Sequence, residues 1–118
     1  MRNKVKIIYV SLFDAEVVIL YGSHTEALLW VKKNCPLQTE LIQAIEAHPI
    51  KRTVKATTYP QIGGGSLIVL PQKSTLSTTI HELTHAAFHL LKSRDTPLTE
   101  ETEETYSYLI EFLVKHAI

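Results

Sequence analysis

Five residues in the second half of the chain have types and spacing suited to chemistry: His81-Glu82-Leu83-Thr84-His85. Residues four apart on an α-helix lie one turn apart on the same face, so two imidazoles at this spacing can converge on one metal ion. Zinc takes imidazole nitrogens at about 2.0–2.1 Å, and a catalytic zinc keeps three protein ligands and an open position for water. Glu82 lies about 100° around the helix from His81. From there a carboxylate can reach a metal-bound water without taking a ligand position, and metal brings that water to a pKa near ~7, where a base can deprotonate it.

The third ligand is less tightly specified. A histidine six residues after His85 is absent, because position 91 is Leu91. His89 follows one turn later and reads as an outer hydrogen-bond donor or an exposed histidine. Glu100, Glu101, Glu103 and Glu104 come next in sequence. Glu104 shares a helical face with Tyr108 and Phe112, four and eight positions on, and is the preferred ligand, with Glu103 and Glu101 as alternatives. Glu100 and Glu101 also suit the N-terminal dipole of a helix. Tyr108 is a candidate catalytic donor to an oxyanion, or a packing neighbour of Glu104.

The elements that must position these residues follow from the hydrophobic pattern. Lys4 to Val10 and Glu16 to Tyr21 read as strands forming a hairpin around Phe13-Asp14. Ser23 and Glu26 have capping-box spacing for a helix over 24–33, with Leu28, Leu29 and Val31 on its apolar side. Leu41, Ile42 and Ile45 mark a second helix ending near His48-Pro49. Arg52 to Thr58 reads as a strand, 59–65 as a loop with three consecutive glycines, and Ser66 to Leu70 as a fourth strand. A long helix capped by Ser74 or Thr75 reaches Lys92, with Leu76, Ile80, Leu83, Ala87 and Leu90 as its buried stripe. Thr99 caps the last helix. Strands precede the two main helices, so the fold class is α+β: one small domain over 1–118, an N-terminal mixed sheet with helices, then a metal-binding helix and a C-terminal glutamate-bearing helix.

Composition limits the function classes. The chain has 118 residues, 12 basic and 12 acidic side chains, and no net charge, which argues against broad electrostatic binding to nucleic acid or membrane. The balance hides two unlike halves: residues 1–59 carry 8 basic and 5 acidic groups, residues 60–118 carry 4 and 7. No apolar run has the ~18 residues of a membrane span, and Met1-Arg2-Asn3-Lys4 leads into a β-like run rather than a secretory signal. The expected location is therefore cytoplasmic. Cys35, the single cysteine, fits a reducing compartment and has no metal-ligand companion. Tyr9 and Trp30 are expected in the core, and His24, His48 and His116 on the surface.

The segments Gly63 to Leu70, Ile80 to Ala87 and Glu103 to Tyr108 together resemble the gluzincin type of zinc metallopeptidase, especially the minigluzincins and the short zincin-like metallopeptidases of bacteriophage genomes. The resemblance covers about residues 57–118. It implies Zn²⁺ as cofactor, His81, His85 and Glu104 as ligands, and Glu82 as general base in hydrolysis of an extended peptide or protein substrate. It also implies an edge strand lining the cleft, for which Ser66 to Leu70 is the natural candidate, so that Gly64, Gly65, Ser66 and Leu67 would bind substrate through their main chain. The glycines would allow close backbone approach, or only form a turn. A zinc-stabilised, non-catalytic binding or assembly module is the alternative, and a latent protease with its tail over the cleft is a third reading.

Overall fold

A computed structural model describes residues 4–47 and 56–118. Strand β1 (Val5–Val10) turns through a 3₁₀ segment (Ser11–Phe13) into β2 (Ala15–Tyr21), followed by helices α1 (His24–Asn34) and α2 (Thr39–Ala47). Strands β3 (Thr57–Pro60) and β4 (Ser66–Leu70) come next, and then helices α3 (Leu76–Ser93) and α4 (Glu103–Ala117). The sheet order is β1-β2-β4-β3, with β2 and β4 parallel and the two outer pairs antiparallel. The α+β expectation holds as a four-stranded mixed sheet with helices on both faces.

That layering explains why β2 and β4 are apolar without alternation. Val17, Ile19, Tyr21, Ile68 and Leu70 face α3 and α4, while Val18, Leu20, Leu67 and Val69 face α1 and α2. An interior strand buried on both faces has no reason to alternate. β1 lies at an edge and does alternate: Ile8 and Val10 are buried, whereas Ile7 and Tyr9 are each 53% exposed. Tyr9 is thus not a core residue. Its side chain stands on the face of β1 that α1 and α2 leave uncovered, and its hydroxyl donates to Asp14 Oδ1 at 2.7 Å. Trp30 packs half-buried at the rim of the α1–α2 core, and Leu29 is exposed.

Several expected boundaries move. The capping box forms, with Ser23 Oγ accepting from Glu26 N and the Glu26 carboxylate accepting from Ser23 N. The expected strand 52–58 lies outside the described residues up to position 55, and Tyr59-Pro60 belongs to β3 rather than to a loop. Proline is tolerated there because β3 is an edge. Gln61 N donates to Gly65 O, so positions 59 and 61 point their main-chain groups at β4, and Pro60 turns its missing N–H outward. At α4 Thr99 Oγ1 accepts from Thr102 N at 3.3 Å as a cap would, but it opens a turn and not the helix itself. Thr99 N donates to Thr102 Oγ1, Thr102 Oγ1 donates to Pro97 O, and the helix begins at Glu103, so Glu103 and Glu104 occupy its first turn.

The buried side of α3 is also rotated from expectation. Thr79, Glu82, Leu83, Ala86, Ala87, Leu90 and Leu91 are buried, while Leu76 is 57% exposed. Small residues at 79 and 86 let the helix backbone settle on the sheet on that side, which carries Glu82 inward. No helix among the described residues is long and apolar enough to cross a membrane.

Candidate metal and catalytic site

Helix α3 rests on β4 and on the outer strand β3. Thr75 caps it by accepting from Thr78 N, and it runs unbroken through the motif. One helical turn places the imidazoles of His81 and His85 side by side on the exposed surface, with ring centroids 4.8 Å apart and Nε2 atoms 3.1 Å apart. In the protein alone one ring must donate a proton to the other, and the tautomers decide which. Two nitrogens bound to one tetrahedral ion at about 2.05 Å stand roughly 3.3 Å apart. The pair therefore already has the separation that two ligands of one zinc ion need.

Glu82 differs from its neighbours. It is only 6% exposed, and its Oε2 lies 3.0 Å from Thr58 Oγ1 on β3. The same hydroxyl lies 3.2 Å from the Glu82 carbonyl oxygen. A buried carboxylate is costly to folding unless strongly paired, and no cation is paired with this one among the described residues. Among the described residues its one side-chain partner is the Thr58 hydroxyl. Glu82, His85 and His89 line one wall of a cleft of about 490 Å³, and Ala56 with Thr57, Thr58 and Pro60 of β3 line the other. His89 is half-buried on the same cleft wall as His85, with Nε2 3.3 Å from the Gln61 carbonyl oxygen.

The remaining site expectations fare differently. Glu104 is exposed, as are Glu101 and Glu103, and among the described residues no hydrogen bond is seen from any of the three side chains to a histidine. Among the described residues no three His, Cys, Asp or Glu side chains stand close enough to hold a metal. The reason is the register of the helix pair. α3 continues two turns past His85 to Ser93, and nine residues fold the chain back into α4. The Phe88 and Tyr106 rings meet at 4.9 Å, which puts Leu109, not Glu104, level with His85. The histidine pair thus fits two zinc ligands, and the structure does not bring Glu104 to it as a third.

Tyr108 is also displaced. Positions 104, 108 and 112 do share a face of α4, but that face turns away from α3. Tyr108 is 66% exposed and lines a separate apolar cavity of about 340 Å³ with Leu12, Phe13 and Phe112. It does not face the site. The expected substrate-binding run is corrected as well. β4 pairs with β2 on one side and β3 on the other, so it has no free edge. Gly64, Gly65, Ser66 and Leu67 are buried. Gly64 has φ +92°, and a Cβ there would run into Ser93 Oγ, while a Cβ on Gly65 would lie 2.5 Å from the Glu16 carbonyl oxygen. These glycines serve the packing of β4 against α3 and β2.

Among the described residues, the sheet edge that borders the cleft is that of β3. Residues 57, 59 and 61 exchange main-chain bonds with β4, so the N–H and C=O of Thr58 point outward beside the cleft. Thr58 was not among the residues that the sequence singled out. Pro60 was the available signal, since proline inside a strand marks an edge. Tyr59 packs edge-to-face on His24 at the other face of the sheet, and burial pushes its hydroxyl up to about 12. Burial likewise raises the Cys35 thiol, which makes it a poor nucleophile. No family model, curated protein or solved structure matches the chain.

Proposed function

We propose that the chain is a zinc-dependent peptidase in which His81 and His85 hold the metal and Glu82 is the general base. The observation that carries this reading is the buried Glu82 carboxylate on the wall of a cleft that His85 also lines, on the helix that brings the His81 and His85 Nε2 atoms to 3.1 Å. Zinc, when bound, supplies a Lewis acid for the scissile carbonyl and lowers the pKa of its water. The residues of the chain do the rest. Thr58 engages Glu82 Oε2, so Oε1 is the oxygen left to take a proton from water and return it to the leaving amide nitrogen. The outward N–H and C=O of Thr58 pair with an extended peptide lying along β3. Pro60 has no N–H to add, so this ladder is short.

Wild type and Glu82→Gln, each loaded with zinc, are compared on denatured casein and on a mixture of internally quenched peptides. Cleavage by wild type, lost in Glu82→Gln while zinc is retained, supports the peptidase. Stoichiometric zinc with no cleavage by either, and unfolding on chelation, supports a metal-stabilised binding module instead.

A further inference from the structure

Glu82 is held by a residue outside its own helix. From the edge strand, Thr58 Oγ1 reaches Glu82 Oε2 at 3.0 Å. We infer that Thr58 is the positioning residue for Glu82, and that β3 therefore aims the base as well as bordering the cleft; the inference rests on the peptidase reading for its catalytic consequence.

The geometry leaves little else to do this work. Glu82 is almost fully buried; on the inner face of α3 Leu83 and Ala86 offer no donor, and the Thr79 hydroxyl donates to the Thr75 carbonyl oxygen instead. A carboxyl side chain has a broad, soft terminal torsion, so packing alone leaves its oxygens free to swivel. A hydroxyl donating to one oxygen fixes the plane of the group and leaves the other oxygen with a defined direction. Threonine suits the task because its branched Cβ restricts χ1 on a strand. Thr58 also sits where substrate recognition begins, since its own N–H and C=O are the outward pair on β3. A peptide pairing with that main chain would touch the residue that sets the base, so binding and proton transfer meet at one position.

Four variants, one of them double, and two readouts test this. In zinc-free protein, a double-mutant cycle of Thr58→Val and Glu82→Ala is followed by urea unfolding. A charge-assisted contact predicts that the two effects on the unfolding equilibrium fall short of additivity by about tenfold or more. In zinc-loaded protein, Thr58→Val is expected to lower kcat about 10–100-fold with KM within about twofold, the range for losing an outer-shell partner. Thr58→Ser keeps the hydroxyl and is expected to recover most of kcat, which a merely structural loss of packing would not allow. Additive single variants, or an unchanged kcat in Thr58→Val, overturn the inference. A wild type that cleaves nothing overturns the peptidase reading instead, and the two failures are distinct because the cycle needs neither metal nor substrate.

Discussion

Helices α3 and α4 lie side by side on one face of the sheet, and both carry residues with the chemistry of a metal site. In α3 the two histidines converge to 3.1 Å and the glutamate between them turns inward to a cleft. In α4 the acidic residues at 103 and 104 stay in solvent at its first turn. The difference is one of scale. The α3 constellation is fixed by helical pitch, which needs only five residues in sequence. A ligand from α4 depends on where α3 stops, how the nine intervening residues turn, and which side chains interlock between the helices. Phe88 on Tyr106, and the Tyr106 hydroxyl donating to the Thr96 carbonyl oxygen at 2.5 Å, set that register away from Glu104.

The sharpest way to break the contrast is to remove an α3 histidine. His85→Ala is expected to cost more than about 100-fold in zinc affinity, beyond the 10–100-fold typical of losing an outer-shell partner. Competition against a chromogenic chelator measures it, and hydrolysis should vanish in parallel. His85 is exposed, so the far-UV spectrum should not change. Retention of zinc by this variant would show that α3 does not hold the metal.

Glu82→Gln should act next most strongly and on one property alone. Glutamine keeps an oxygen for Thr58 to donate to but cannot accept a proton, so zinc affinity should hold while kcat/KM falls by about 10²–10⁴. Equal activity in wild type and variant would remove Glu82 from the mechanism and leave the histidines as a structural metal clip.

The same difference in scale decides what could be read from the sequence. The side-by-side placement of the His81 and His85 rings, the capping box at Ser23 and the boundaries of β4 follow from local patterns and are found as expected. Edge or interior position is not local. β4 was expected at the edge because the family resemblance implies an edge strand along the cleft, yet all five of its residues are buried, and that unbroken apolar run is itself the mark of a strand covered on both faces. Tyr9 looks like core by residue type but sits on the uncovered side of β1, which only the placement of α1 and α2 decides. Thr58 had no motif to announce it, since its role depends on a contact 24 positions away in sequence. Gly64 and Gly65 were visible as unusual, but their purpose lay in the neighbours they admit.

A smaller effect tests the register itself. Tyr106→Phe removes the hydroxyl that ties α4 to the turn before it, and should cost about 1 kcal/mol in urea unfolding, the net worth of one hydrogen bond. Zinc affinity should be untouched, because the histidine pair belongs to α3 alone. A parallel loss of affinity would mean that the seating of α4 contributes to the metal site.

The smallest effect is expected at Glu104. Its carboxylate is exposed, in the first turn of α4, and the face it shares with Tyr108 and Phe112 looks toward the 3₁₀ turn after β1. Replacing it with glutamine removes one negative charge from a helix N-terminus, worth about 0.3–1 kcal/mol of stability. Zinc affinity should stay within about twofold of wild type, and Glu103→Gln should match it. The two isosteric variants together are the critical pair, because they share a location in the first turn and differ in direction around the helix. If Glu104→Gln alone weakened zinc more than about tenfold, α4 would have to advance by more than a turn along α3 when metal binds, breaking the Phe88–Tyr106 contact. Tyr106→Phe would then ease that movement and strengthen zinc binding, so a gain of affinity in that variant and a loss in Glu104→Gln would have to occur together.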